Sequence, residues 1–216
     1  ERTIDVIRES GADIIAMQET YGSGAAIADA LDFSFHLRSS NLSVMSRFPI
    51  VAVHDLYEPF RLGGATLELS PGQELTVFSL WIHHLPSIDA ALSSGSSADE
   101  IVAAEWETRA SETRDILAAL APHIARSGEV PLIVAGDFNS PSYLDWTTAT
   151  HAMHSDLTVP WPVSVQMVEA GFKDAYRVAH PDPTKQYGRT WSPRFVDGWQ
   201  DRIDYIYIHG PLLETL

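Results

Sequence analysis

The segment Pro131-Leu132-Ile133-Val134-Ala135-Gly136-Asp137-Phe138-Asn139 passes abruptly from apolar to polar. An unbroken apolar run ending in a Gly-Asp step predicts a strand buried on both faces. If the extended geometry continues past Gly136, alternation turns Asp137 and Asn139 to one side and Phe138 to the other. A carboxylate that can accept a proton then stands beside an amide that can orient a nucleophile or a phosphoryl oxygen. The bland alternative is an Asx-type turn before Pro141. The whole tetrapeptide at the end of an apolar strand favours the catalytic reading.

Other predicted strands also end in polar groups. Asp13 to Glu19 reads as a short buried strand finishing in Gln18-Glu19. Leu42 to Arg47 is a strand stopped by Pro49, and Ala65 to Leu69 pairs with Glu74 to Leu85 through a turn at Ser70-Pro71-Gly72. The last clear strand, Arg202 to Ile208, carries Asp204. A rigid sheet can hold such groups at one edge, where catalytic residues are often found. Along Glu74 to Leu85, alternation places His83 and His84 on opposite faces, so they cannot easily bind one metal, and His83 reads as structural.

The helical expectations are simpler. Glu1 to Ser10 has helical spacing and Gly11 to cap it, and Gly24 to Leu31 is a small Ala-rich helix. Ser87 to Ser97 is Ser-rich and reads as a mobile connection. From Ala98 to Ile124 the stripe Trp106, Ala110, Thr113, Leu117, Leu120, Ile124 predicts one amphipathic helix closed by Gly128. Ser142 to Thr150 is a further helical candidate, and Val163 to Ala170 is a short helix ended by Gly171. His151 and His154 have i,i+3 spacing but no evident third ligand, so they read as surface histidines. Trp191 and Trp199 suit a substrate groove or packing equally. Arg47 suits the site or only its own turn. Asp204 is balanced between catalysis and pairing with an Arg.

The 216 residues suit a single domain, and no apolar run approaches the ~20 residues that would span a bilayer. The chain has no cysteine, which excludes disulfides, thiolate metal sites and cysteine nucleophiles. It carries 14 Lys and Arg against 29 Asp and Glu, a formal charge of −15. Such a surface repels a long polyanion unless a basic patch offsets it, and the positive residues are scattered. A phosphate can still bind where a divalent metal supplies charge, and carboxylates with one His suit a hard cation such as Mg²⁺.

Five strings together resemble the endonuclease/exonuclease/phosphatase superfamily. Asp13-Ile14-Ile15-Ala16-Met17-Gln18-Glu19 looks like its metal-binding D-I-I-x-x-Q-E segment, and Ser43 to Ile50 is similar to its x-x-L-S-R-x-P-I strand and turn. His84-Leu85 falls at its N-x-H-L strand end. Gly136-Asp137-Phe138-Asn139 matches G-D-F-N, and Thr190-Trp191-Ser192-Pro193 with Arg202 to Ile206 matches its T-W … R-I-D-Y-I end. Each string alone is weak; five in order are strong, from about residue 1 to about residue 210.

The resemblance implies an α+β fold, a four-layer α/β/β/α sandwich of two mixed sheets face to face, in one domain over 1–216. It implies metal-dependent hydrolysis of a phosphate ester using Mg²⁺ or Mn²⁺. Carried over residue by residue, Glu19 binds the metal, Asp137 and Asn139 position or activate the attacking water, and His84 stabilises the phosphoryl oxygens. Asp204 is the family's partner for a catalytic His. Three departures stand out. The family's first strand is expected before Glu1 and its S-D-H segment after Leu216, as though the domain were incomplete at both ends, and Ile82 replaces an Asn common before the His. On charge grounds the expected substrate is a small or lipid-linked phosphoester. A nuclease is the alternative, and an inactive binding module is a rival that the presence of Glu19, Asp137 and Asn139 disfavours.

Overall fold

The computed structural model describes residues 2–192, 194, 195, 197–211 and 213. Glu1 and Pro193, each part of a stretch singled out above, lie outside the described residues. In chain order the elements are α1 (Arg2–Ser10), β1 (Ile14–Met17), α2 (Gly24–Leu31), β2 (Ser34–Leu37), β3 (Ser43–Ser46), β4 (Ile50–His54), β5 (Leu62–Ser70) and β6 (Gln73–Trp81). There follow α3 (Ile88–Ser93), α4 (Ala98–Glu107), α5 (Arg109–Arg126), β7 (Leu132–Asp137), a 3₁₀ turn (His151–Met153), α6 (Pro162–Glu169), β8 (Lys173–Asp174), α7 (Ala175–Ala179) and β9 (Asp204–His209). The strands form a three-stranded sheet, β1-β3-β2, and a six-stranded sheet, β4-β5-β6-β7-β9-β8. By its contacts the chain divides into two compact units.

The first unit holds the chain up to Trp81, with Ala119–Gly136 and His209–Leu213. It contains the four layers. β3 pairs antiparallel with β1 and with β2. Because side chains alternate along a strand, Met45 and Val44 leave β3 on opposite sides. Met45, with Ile15 and Met17 of β1, packs under Ile7 of α1 and Ile27 and Ala28 of α2. Val44 and Ile14 face the other way and meet Ala65 and Leu67 of β5 and Leu75 and Val77 of β6. The far side of the larger sheet presents His54 and Phe78, and the His123 ring of α5 lies edge-on against both, at 4.6 and 5.1 Å. The order is therefore helix, sheet, sheet, helix.

Gly136 in β7 permits a close approach. A Cβ there would sit 2.0 Å from the Leu80 carbonyl oxygen and 3.0 Å from Gln18 Nε2, and its φ of 152° disfavours any side chain. The strand itself buries Leu132, Val134 and Gly136 fully and half-buries Ile133, Ala135 and Asp137, so the expected burial of both faces is complete on one and partial on the other.

The second unit comprises Ile82–Ala118 and Asp137–Ile208 with the chain terminus. One apolar cluster joins Ile88, Ile101, Trp146, Val159 and Trp161, with Trp199 packed against it. Trp199 thus packs against this cluster and also lines an open groove with Arg189 and Gln200. Three expectations for this unit need correction. The Ser-rich connection is ordered by its own serines. Ser87 caps α3, and Ser97 forms a capping box with Glu100 at the start of α4. The single helix expected from Ala98 to Ile124 is broken at Thr108, whose φ and ψ are −135° and −99°. Of the expected stripe, Ala110, Thr113 and Leu120 are buried. Trp106 is exposed, whereas Glu105 and Arg109 are buried. Residues 142–150 form turns, because the Thr150 hydroxyl accepts from Thr147 N and donates to Asp145 O, in competition with helical backbone bonds.

Two histidine expectations also change. β6 stops at Trp81, so strand alternation does not extend to His83 and His84, and their rings stack at 5.2 Å and 9°. His154 is buried, not a surface residue. It stacks on Trp146 at 4.1 Å with Nε2 3.2 Å from the Tyr187 hydroxyl, and burial pushes its pKa down to about 4. His151 is exposed and faces Asp156 at 3.2 Å.

Candidate active site

The strand-end residues of the second unit come together through backbone bonds. Ile82 N donates to Asp137 O at 2.9 Å, and Phe138 N donates to Ile203 O at 2.9 Å. The first bond sets His83-His84 beside the end of β7. The second sets Asp204 one residue from the partner of Phe138. Phe138 itself is buried, its ring edge-on to Tyr205 and Tyr207, so it anchors the turn from below.

Past Asp137 the extended geometry does not continue. Asn139 takes a φ of 49°, in the left-handed region that few non-glycine residues occupy. Its backbone N donates to Asp137 Oδ1 at 2.8 Å and its Nδ2 to Asp137 Oδ2 at 3.1 Å. Nδ2 also donates to the Ile82 carbonyl at 2.8 Å. The Asx turn and the pairing of carboxylate with amide are therefore the same structure: the turn holds the two groups together. The Ile82 position, where the resemblance led one to expect Asn, is buried and contributes its backbone carbonyl. His84 is exposed, and the His83 backbone N donates to Glu112 Oε2 at 2.9 Å.

Asp204 is exposed at the start of β9, where its N and that of Ile203 both donate to the Thr190 hydroxyl at 3.1 Å. Thr190 of the Thr190-Trp191 string thus holds the Asp204 backbone. Neighbouring Arg202 is committed elsewhere. It donates to Asp145 Oδ2 at 2.9 Å and to both Asp174 oxygens at 3.0 and 2.7 Å. Arg177 donates to Asp145 Oδ1 at 2.5 Å. Burial pushes the Asp145 carboxyl up, and Arg202 and Arg177 beside it oppose the change. Asp201 accepts from Trp146 Nε1 and the Tyr187 hydroxyl, each at 2.8 Å, and burial raises its pKa to about 7. These polar groups support the strand entering Asp204.

Glu19 belongs to the first unit. It is exposed, with a φ of 56°. Its backbone N donates to Asn41 Oδ1 at 2.7 Å, and its Oε1 accepts from the Tyr21 hydroxyl at 3.0 Å. Asn41 is wholly buried and donates in turn to Phe60 O at 3.1 Å. A buried amide thus clamps the strained turn that presents Glu19. Gln18 points away to Ser79 Oγ at 2.9 Å, and that hydroxyl donates to Met17 O. Arg47 fixes its own turn: it donates to Asp13 Oδ1 at 2.7 Å through Nε, and its backbone N donates to Asp13 O.

The sequence profile described as Endonuclease/Exonuclease/phosphatase family matches residues 1–216. The chain belongs to that family. A curated relative, the uncharacterized protein F14F9.5 of Caenorhabditis elegans, is 34% identical over 126 residues, covering 53% of this chain and 40% of that one. The chain thus matches less than half the length of this relative. Among solved structures, truncated TDP2 of C. elegans matches with a TM-score of 0.65 at 16% identity, over 98% of this chain and 76% of that one. The 3′ phosphatase NExo of Neisseria, bound to a product DNA hairpin, gives 0.62 at 15%, over 96% and 80%. An AP endonuclease of Archaeoglobus fulgidus gives 0.60 at 17%, over 95% and 79%. At these identities the three establish the shared fold.

Family members are metal-dependent phosphoesterases, and the donor chemistry here can be compared with that requirement. Among the described residues no group of three or more His, Asp or Glu side chains is gathered as a metal cluster. A hard divalent cation such as Mg²⁺ keeps several waters and is bound through one or two carboxylates plus substrate phosphate. Glu19, exposed on a clamped turn, has the oxygen-donor chemistry that such an ion takes. Sequence reasoning missed Asn41, Glu105, Arg109 and Asp145, since a polar residue in a turn or helix carries no mark of the partner it will meet after folding. Among the described residues no helix is long and apolar enough to cross a membrane.

Proposed function

We propose that the chain hydrolyses a small or lipid-linked phosphate ester with the aid of Mg²⁺ or Mn²⁺. The observation that carries this reading is the Asp137–Asn139 turn, in which carboxylate and amide are tied to each other and to the Ile82 carbonyl. Glu19 would hold the cation, which when bound polarises the phosphoryl oxygen and stabilises the leaving oxyanion. Asp137 accepts the proton of the attacking water. Asn139 spends Nδ2 on Ile82 and Asp137, so its amide oxygen is the atom left to orient that water. His84 donates to a phosphoryl oxygen, and Asp204 serves as an orienting carboxylate. The purified protein should therefore hydrolyse bis-p-nitrophenyl phosphate only with Mg²⁺ or Mn²⁺ present. Glu19→Gln should raise the metal concentration needed for half-maximal rate. Full activity in EDTA would defeat this reading.

The second reading, a nuclease, is favoured by fold neighbours that include an AP endonuclease and a 3′ phosphatase bound to a product DNA hairpin. The net charge of −15 argues against duplex DNA. A duplex-binding enzyme loses affinity with salt at a log-log slope of about −0.9 per phosphate neutralised. The expectation is weak binding without a steep slope, and faster turnover of small or lipid phosphoesters than nicking of plasmid. Efficient plasmid nicking at physiological salt reverses the order of the two readings.

A further inference from the structure

Three side chains at the break between α4 and α5 reach the loops that carry the proposed catalytic groups, all within the second unit. Glu105 and Arg109 are i,i+4 across Thr108 and form a buried ion pair. Arg109 Nη1 donates to His84 O at 3.1 Å and to Pro86 O at 3.0 Å. Glu105 Oε2 accepts from Ser140 Oγ at 3.0 Å, and Ser140 directly follows Asn139. One turn further along, Glu112 Oε2 accepts from His83 N at 2.9 Å. The guanidinium therefore grips one loop, the carboxylate grips the other, and the ion pair couples them.

We propose that Glu105 and Arg109 form a positioning pair that sets the His84 loop against the Asp137–Asn139 turn. Neither side chain is assigned a contact with substrate; both act through residues that have one. The proposal rests on the phosphoesterase reading for its effect on rate, but not for its effect on structure. A buried ion pair is weak evidence for stability, because desolvation offsets much of its attraction. Two ionised side chains kept at this break, each bonded to a different loop, are better explained by geometry. A shift of a catalytic group by about 1 Å can cost ~10²-fold in rate.

The test uses Arg109→Lys, which retains a charge but has no planar fork to hold Glu105 through Nε while Nη1 reaches both carbonyls. In protein labelled with ¹⁵N-histidine, the His84 imidazole signals are identified by their loss in His84→Ala. Arg109→Lys should move them and leave those of His123 in place. It should also lower kcat on bis-p-nitrophenyl phosphate by ~10–100-fold with little change in KM. In the His84→Ala background the same substitution should cost much less, because the two act as a unit. Folded Arg109→Lys with unmoved His84 signals overturns the proposal, as do rate losses that simply multiply. If no form of the protein hydrolyses the ester, or His84→Ala is fully active, the catalytic reading fails while the signals still decide the positioning pair. Should Arg109→Lys not fold, Ser140→Ala removes one hydroxyl from the same chain of bonds. It should shift the His84 signals too, and unmoved signals there overturn the proposal.

Discussion

Replacing Asp137 by alanine should lower kcat by ~10²–10⁴-fold, the usual contribution of a positioned proton-transfer group. The Michaelis constant and the metal requirement should change little, because Glu19 is left intact. Two effects combine. The substitution removes the proposed proton acceptor. It also removes the oxygens that accept from Asn139 N and Nδ2 at 2.8 and 3.1 Å, so the amide loses its orientation. Asp137→Asn separates these effects in part, since its one oxygen can still accept from Asn139 N while the base is removed. Steady-state kinetics of both variants on bis-p-nitrophenyl phosphate would check this. A rate within a few-fold of the parent in both would remove Asp137 from the chemistry.

Asp145→Ala should be the most destabilising single change outside the apolar core. Asp145 is fully buried and receives Arg177 on one oxygen and Arg202 on the other. Removing one member of a buried ionic network while the others stay costs ~3–5 kcal/mol. For a chain of this size that corresponds to a fall in Tm of roughly 10 °C. Arg202 keeps Asp174, and Arg177 keeps the carbonyls of His180, Gln186 and Tyr187, which limits the loss. Asp13→Ala, which breaks the exposed pair with Arg47, is the control and should scarcely move Tm. Calorimetry of the two variants gives the comparison. Equal midpoints would mean that the network is not what supports β9.

Much of the molecule was legible in the sequence, for a physical reason. Alternation in β3, β5 and β6 marks which side chains enter the core, so Met45 and Val44, or Leu75 and Thr76, separate onto opposite faces as the letters suggest. Gly136 is legible as well, although why a glycine is required appears only when Leu80 O is seen against it. The short strands β2, β4 and β8 were not anticipated. Unlike the equally short β1 and β3, they do not sit in strings that mark a strand end, and pairing with neighbours is what makes them strands.

The residue types of the candidate site were set by the local strings: Glu19 after an apolar strand, Asp137 and Asn139 after another, His84 and Asp204 at two more strand ends. Their arrangement was decided by tertiary structure. Asn139 turns back on Asp137 because the Ile82 carbonyl, distant in sequence, receives its amide. Glu19 holds a left-handed conformation because Asn41 is buried beneath it. Glu105 and Arg109 lie outside the apolar stripe read from the sequence, yet they are buried, because two loops supply their partners. Periodicity records which side a residue faces within its own element. It holds no record of where another element will place a donor or an acceptor, and a buried polar group is tolerable only where that partner arrives.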